Sequence, residues 1–448
     1  MKKLINMIIL ILLFALLCSI PAGCRNNKNQ SMNEAEQNGE NVPDVTADDY
    51  DNRLGGMRYG DILETEEVFF FITYRRKINE KGCAPGCFMR YCVRETGESD
   101  IFCGDPTCMH NNEECPAFGV SNIYEYDGKI YYQRQYHEQG TSIRSGILRM
   151  DPDGSSRELV IPLTDYSTDM MDGTNGEFMM HRGRFFVFMK GPAVSGGSGG
   201  FRFILRELHP DSDEQTVLFD KTVSSTNESR VFFHGRYAYL LLCHMEGRGE
   251  TAKTIIELFR ANIDTGESEL IKKDEDSPCY LGECCFVDKN EDIYIVAPKS
   301  EMAGDEMIPC GAAAYKYIDG RFTEIFCFAD EENGCYTIPL CGDNVIGGIC
   351  VKRDGEVREK FVLWLTDYEG NTIVKDTLPL AFLTEEERQK LFFNVGSFAD
   401  ARELIFRINI NWKPEKAGSK ILHDYYVVHY DYSDGSLKET LLGMSKEE

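Results

Sequence analysis

Short runs of apolar residues, each split by a polar turn, recur along most of the chain. The clearest stretch is 122–162, in which two apolar runs turn at Asp127-Gly128 and two more turn at Asp153-Gly154. Runs rich in Ile, Tyr, Val and Leu that are separated by Asp-Gly are typical of β-hairpins. The stretch therefore predicts four consecutive strands in one small antiparallel sheet.

The same four-strand pattern is found seven times, and its spacing predicts the architecture. The second turns of the repeats lie 50 to 65 residues apart, at Gly97, Gly154, Asp211, Gly266, Gly320, Gly370 and Gly435. Repeats of this length predict an all-β fold, a β-propeller with seven four-stranded blades over residues 51–448. In a ring each sheet buries both faces against its neighbours, which explains continuous apolar runs such as Phe185–Phe188. Rings of six or eight blades are the neighbouring alternatives.

Two other all-β architectures fit the repeat less well. A β-helix would have a much shorter repeat, and a pair of β-sandwiches would show no common period across the middle of the chain. One segment departs from the strand pattern. Thr384 and Glu387 have the spacing of a capping box and predict a helix over Thr384–Val395, inserted between the sixth and seventh repeats.

The N-terminus has the pattern of a bacterial lipoprotein signal. Two lysines precede an apolar run over Leu4–Ile20, and small residues follow just before Cys24. We therefore predict a signal peptide over residues 1–23 and lipidation of Cys24. The alternative is an uncleaved anchor helix, although about 17 apolar residues is the lower limit for spanning a bilayer.

Residues 24–50 are mostly Asn, Gln, Glu, Asp and Ser. Such a segment cannot bury enough apolar surface to offset its ordering entropy, so it is expected to be a flexible tether. The chain as a whole has 48 basic and 74 acidic residues, a formal net charge of −26. Repulsion from the phosphate backbone therefore argues against a nucleic-acid partner, while good solubility or a cationic ligand would both fit this charge.

The best chemical candidate is the spacing C-x4-C-x-H-x4-C formed by Cys103, Cys108, His110 and Cys115. Three thiolates and one imidazole are a ligand set that suits tetrahedral zinc, so a structural zinc ion is the one cofactor that the sequence suggests. Asp105-Pro106 predicts a tight turn that would bring Cys103 and Cys108 together, which would serve a disulfide equally well.

Disulfides and free thiols stay open as alternatives to the metal. With Cys83, Cys87 and Cys92 the segment has six cysteines within 33 residues, and disulfides are the usual state in an exported protein. A second candidate disulfide joins Cys335 to Cys350. These two residues would lie opposite each other on a hairpin if Gly342-Asp343 were a two-residue turn.

The segment Phe102–Pro116, with its pattern C-x-D-P-x-C-x-H…C-P, follows the first repeat of a chain with a lipobox. This combination resembles a signature of propeller-like lipoproteins of uncharacterised function from Gram-positive anaerobes. The resemblance implies a fold and a location, a propeller anchored in the cell membrane by lipid and facing the extracytoplasmic side. It implies no substrate and no reaction.

Two functional hypotheses follow. The first is a non-catalytic module that binds a protein, peptide or glycan. The alternative is a carbohydrate-active enzyme, a hydrolase or lyase that uses carboxylates in the central funnel. We favour binding because no catalytic constellation is identifiable: Gly196–Gly200 fits G-x-S-x-G, but predicted strands flank it on both sides. Two facing carboxylates about 5 to 10 Å apart at the mouth of the funnel would favour the enzyme.

Overall fold

The computed structural model describes residues 62–445, apart from 76–85, 111–113, 138–142, 163–176, 193–199, 211–214, 224–227, 248–250, 280–283, 304–305, 329–335, 355–356, 401–402 and 413–421. The predicted signal peptide 1–23, Cys24 and the tether 24–50 lie outside the described residues. Among the residues that the structure describes, no helix is long and apolar enough to cross a membrane.

Twenty-eight strands form seven four-stranded antiparallel sheets, and each sheet consists of four strands that are consecutive in the chain. The strands of blades 1 to 4 are β1 (Ile62–Glu64), β2 (Val68–Arg75), β3 (Gly86–Val93), β4 (Ser99–Ile101), β5 (Val120–Tyr126), β6 (Lys129–His137), β7 (Ile143–Met150), β8 (Glu158–Pro162), β9 (Glu177–His181), β10 (Arg184–Pro192), β11 (Phe201–Leu208), β12 (Gln215–Val223), β13 (Glu228–His234), β14 (Tyr237–Glu246), β15 (Lys253–Asn262) and β16 (Ser268–Asp274).

The strands of blades 5 to 7 are β17 (Cys285–Val287), β18 (Ile293–Ala303), β19 (Glu306–Ile318), β20 (Arg321–Phe328), β21 (Tyr336–Gly342), β22 (Val345–Asp354), β23 (Val357–Thr366), β24 (Thr372–Thr377), β25 (Leu391–Asp400), β26 (Glu403–Trp412), β27 (Leu422–Asp431) and β28 (Lys438–Ser445). The fold is a seven-bladed β-propeller, so the predicted class and blade number are confirmed.

The core lies between neighbouring blades, because the side chains of each strand alternate between the two faces of its sheet. In β14 of blade 4, Leu240 belongs to a buried cluster shared with blade 3, which includes Phe203. The next residue, Leu241, belongs to a buried cluster shared with blade 5, which includes Phe286. Both faces of a blade are therefore buried, as the continuous apolar runs predicted.

The ring closes where blade 7 meets blade 1. Phe69 and Phe71 of blade 1 pack against Ile405 and Val427 of blade 7. Arg90 Nη1 also donates a hydrogen bond to the carbonyl oxygen of Met444 at 3.1 Å. Among the described residues each sheet contains only its own four consecutive strands, so blades 1 and 7 meet there by packing and without exchange of a strand.

The predicted helix is present but shorter. Helix α1 spans Glu385–Gln389, and its capping box is confirmed, with Thr384 Oγ1 accepting from Glu387 N at 3.2 Å. The predicted end at Val395 is wrong, since β25 begins at Leu391. Leu391 and Phe393 are buried in blade 7, and pairing with β26 outweighs continuation of the helix.

The register of the hairpin β21–β22 also differs from the prediction. Gly342 pairs with Val345, so the turn residues are Asp343-Asn344, and Cys350 lies opposite Thr337. Asn344 adopts a positive φ of 53°, a conformation that Asn tolerates well, which places the turn one residue later. The register used to pair Cys335 with Cys350 is therefore wrong by two residues. Cys335 lies outside the described residues, so the disulfide itself stays untested.

Six of the seven outer strands have a β-bulge, at which one extra residue interrupts the pairing with the neighbouring strand. The bulged residue is aliphatic each time: Val160, Leu218, Ile271, Ile325, Ile373 and Leu442. The exception is blade 1, whose outer strand β4 has three residues in a continuous register.

Histidines link consecutive blades through hydrogen bonds to main-chain carbonyls. His181 Nε2 of blade 3 donates to the Gly235 oxygen of blade 4 at 2.6 Å, and His234 Nε2 of blade 4 donates to the Val287 oxygen of blade 5 at 2.6 Å. A carbonyl can only accept, so Nε2 carries the proton in both rings.

A His234→Ala variant is expected to be less stable than the unchanged chain by about 3 kcal/mol. The ring is fully buried, and its removal leaves both a cavity and an unsatisfied carbonyl between blades 4 and 5. Urea denaturation followed by intrinsic fluorescence measures the loss. His209→Ala is the matched control, since His209 hydrogen-bonds to the Thr216 hydroxyl in an exposed position. Equal midpoints for the two variants would contradict the link between blades.

Candidate metal centre

The Cys/His segment is a loop that interrupts the outer strand of blade 1. Strand β4 covers only one half of β3, where Ile101 pairs with Arg90. Residues 117–119 cover the other half, with Met89 N donating to the Ala117 oxygen and Gly119 N donating to the Cys87 oxygen, both at 2.9 Å. The loop therefore leaves the sheet after β4 and returns to the same edge of β3, which fixes both of its ends.

The structure brings the four predicted residues Cys103, Cys108, His110 and Cys115 together. Their sulfur atoms and an imidazole nitrogen all lie within 4.8 Å of one another, and His110 Nδ1 is 3.2 Å from Cys115 Sγ. Tetrahedral zinc with bonds of about 2.3 Å to sulfur would separate two sulfurs by about 3.8 Å. The cluster could therefore hold a metal ion, as its spacing predicted.

A tight turn positions the first two cysteines, as predicted from Asp105-Pro106. Cys108 N donates to the Asp105 oxygen at 3.2 Å. Asp105 Oδ1 accepts from Thr107 N at 2.8 Å and from Thr107 Oγ1 at 2.7 Å. These bonds lower the pKa of the Asp105 carboxyl and keep it ionised. The turn thus returns the chain so that Cys103 and Cys108 lie on the same side of the loop.

His110 reaches the sulfurs because its backbone is in the left-handed region, with a φ of 48°. Its N–H donates to Cys108 Sγ at 3.4 Å, so the main chain also supports the sulfur. A non-glycine residue in this conformation is uncommon, and it persists where the surrounding contacts determine it. The local conformation therefore supports a cluster in which ring and sulfurs face one point.

Burial differs among the three cysteines. Cys115 is 2% exposed, whereas Cys103 and Cys108 are half-buried. Burial raises the pKa of the Cys115 thiol to about 12, and the neighbouring sulfurs add to the rise. Burial likewise raises the pKa of Cys103. A metal ion would have to displace protons from these thiols on binding.

Two arginines hold the last part of the loop, and sequence reasoning missed both. Arg134 is 3% exposed and its Nη2 donates to the Cys115 oxygen at 3.1 Å. Arg157 Nη2 donates to the Glu114 oxygen at 2.9 Å. Zinc bound by three thiolates and a neutral imidazole carries a net charge of −1, which such guanidinium groups offset. The sequence signal that could have identified Arg134 is its position within the predicted strand Lys129–His137, where a charged residue is unusual.

The described cysteines Cys87 and Cys92 are not part of this group of four. Cys87 packs on the side of blade 1 that faces blade 2, next to the cluster. Cys92 is buried on the opposite side, against blade 7, where burial raises the pKa of its thiol. Cys83 lies outside the described residues. The six cysteines therefore do not form one centre.

No family model and no curated protein matches the chain. Solved structures match it at low identity. The β-propeller domain of the Trilobed protease from Pyrococcus furiosus is 11% identical, with a TM-score of 0.45 over 87% of this chain and 96% of that one. An acylaminoacyl peptidase from Pyrococcus horikoshii is 12% identical, with a TM-score of 0.45 over 83% of this chain and 57% of that one.

A third structure, the polysaccharide lyase Uly1, is 11% identical, with a TM-score of 0.43 over 86% of this chain and 90% of that one. At these identities the likeness concerns the fold and carries nothing about the activity of this chain.

Proposed function

We propose that the chain is a membrane-anchored extracytoplasmic propeller that binds a protein, peptide or glycan without catalysing a reaction, and that its Cys/His loop holds a structural zinc ion. One observation carries the choice of binding over catalysis: buried carboxylates of the propeller are occupied by protein donors.

Five of the six buried carboxylates in the described part of the chain accept hydrogen bonds from other protein groups: Glu207 from Arg184, Glu257 from Lys221 and His244, Asp274 from Phe322 N, Asp288 from Asn290 N and Asp292 N, and Glu387 from Thr384 N and Tyr426. A glycosidase needs two carboxyl groups that face a substrate, one of them with a raised pKa.

Burial raises the pKa of the Asp288 carboxyl. Its Oδ1 accepts from two N–H groups of its own turn, both at 2.8 Å, which leaves it poorly placed to donate a proton to a sugar. Glu257 shows the opposite behaviour. Burial raises its pKa, but the bonds from His244 and Lys221 outweigh this effect and lower it to about 2. Both acids therefore serve the fold.

The donor set supports a structural role for the metal. Cys103, Cys108, His110 and Cys115 would supply four ligands to zinc and would leave no position for water or substrate, which is typical of structural rather than catalytic zinc sites. The buried Cys115 and the main-chain bonds at Met89 tie this set to the core between blades 1 and 2.

The choice between binding and catalysis is tested with the full chain in detergent, incubated with insoluble cell-wall peptidoglycan, arabinan and xylan. We expect at least one polymer to retain the protein while no new reducing or unsaturated ends form. Formation of such ends, and their loss in a variant with one carboxylate replaced, would favour the enzyme. Retention by none of the polymers would overturn a glycan as the ligand.

A Cys24→Ala variant is expected to lose membrane association if lipid on this cysteine is the anchor. Without the thiol no thioether can form, so the fraction of protein in the detergent phase of a Triton X-114 separation is expected to fall about tenfold or more. Cys18→Ala, within the predicted signal peptide, is the matched control. Unchanged partition of the Cys24 variant would favour an uncleaved anchor helix.

A further inference from the structure

We infer that the Cys/His centre has two covalent states, one with metal bound and one in which Cys103 and Cys108 form a disulfide and the metal has left. The inference rests on the proposed function, since it requires that the centre binds zinc. It makes the metal and the disulfide alternative states of one site.

The geometry between Cys103 and Cys108 favours this pair. Their sulfurs are within 4.8 Å, and a disulfide needs a bond of about 2.05 Å. The turn held by Asp105 already returns the chain between them, and it does not depend on the sulfurs for its hydrogen bonds. Rotation of two side chains can therefore close the bond while the turn keeps its conformation.

Access separates the pair from the third cysteine. Cys103 and Cys108 are half-buried, and their neighbour Met109 is 42% exposed, so a small oxidant can reach this side of the loop. Cys115 is 2% exposed, and Arg134 fixes its carbonyl. Oxidation therefore joins Cys103 to Cys108 and leaves Cys115 as a thiol.

The step balances with hydrogen peroxide as the oxidant. The two thiolates of Cys103 and Cys108 give up one electron each and form the S–S bond, and peroxide takes both electrons and two protons to become two molecules of water. Zinc leaves as the divalent ion because only one sulfur and one imidazole remain to hold it. The sulfur of Cys115 takes up a proton from solvent. A low-molecular-weight disulfide would serve in the same way and leave as two thiols.

The experiment uses the full chain purified with zinc and treated with hydrogen peroxide. Zinc release is followed with a metallochromic dye, and the disulfide is located by mass spectrometry after the remaining thiols are alkylated. We expect one zinc ion to leave per chain as the Cys103–Cys108 linkage appears, and reduction in the presence of zinc to reverse both changes. Cys327→Ser, which removes a half-buried thiol in blade 5, is expected to release zinc like the unchanged chain.

Two kinds of failure are distinguishable. Absence of zinc from the reduced protein, in a titration with zinc alone, would overturn the proposed metal site and this inference with it. Zinc that binds but stays bound after oxidation, or a disulfide that includes Cys115, would overturn the two-state centre alone and leave the structural zinc in place. Both readouts come from the unchanged chain, so neither depends on the folding of a variant.

Discussion

A Cys115→Ser variant is expected to bind zinc at least about 100-fold more weakly than the unchanged chain. A serine hydroxyl is not ionised near neutral pH and is a poor zinc ligand, so the centre would keep two thiolates and one imidazole. Loss of an outer-shell partner alone costs 10- to 100-fold in metal affinity, and loss of a direct ligand costs more. Cys115 is buried, so water cannot easily take the vacant position. Competition with a chelator of known affinity measures the change.

Cys92→Ser is the matched control for this loss. Cys92 is a similarly buried thiol of blade 1, but it packs against blade 7 and away from the cluster. Its substitution is expected to leave zinc affinity unchanged, whatever it does to stability. A variant of Cys92 that loses zinc as readily as the Cys115 variant would show that the metal is held elsewhere.

A Gly347→Ala variant is expected to destabilise the propeller by about 3 kcal/mol or more. A Cβ atom at this position would lie 2.0 Å from the Trp364 carbonyl oxygen and 2.9 Å from Leu365 Cα. Both contacts are with backbone, so no change of rotamer can relieve them. The central strands β22 and β23 of blade 6 would have to separate, which costs more than ordinary overpacking. Urea denaturation and the yield of soluble protein measure the effect.

The matched control is Gly104→Ala. A Cβ there would have no neighbouring atom within 4 Å. A surface substitution of this kind changes stability by about 0.5 kcal/mol or less. A Gly347 variant as stable as the Gly104 variant would mean that strands β22 and β23 do not approach as closely as described.

The periodic part of the fold is predictable from the sequence because it depends on local signals. Turns such as Asp127-Gly128 separate the strands, and the number of times the four-strand pattern recurs gives the blade number. The residues at which helices and strands begin and end are harder to predict from the sequence. The helix over Thr384–Val395 was predicted too long because local helix propensity competes with burial of Leu391 and Phe393 in a sheet, and that burial depends on distant partners.

The four candidate ligands of the site could be predicted from the sequence, but the contacts that surround them could not. The spacing of Cys103, Cys108, His110 and Cys115 identified the cluster, and Asp105-Pro106 identified its turn. The contact of Arg134 with the Cys115 carbonyl depends on a strand outside the motif, and the return of residues 117–119 to β3 is likewise a long-range pairing. The same limit explains the register of Cys350, where a shift of one residue in the turn moves every pairing partner by two.

The bulges of the outer strands bear on how copies of this chain behave when crowded together. A propeller exposes one strand edge on every blade, and an unbroken edge can recruit an edge from another molecule. The outer strands of six blades are interrupted by a bulge, while the outer strand of blade 1 is short and is followed by the Cys/His loop. If that loop loses its order, the adjoining part of β3 loses its hydrogen-bond partners and becomes an edge to which a strand of another molecule can pair. Disorder of the loop would then promote self-association, beginning at blade 1.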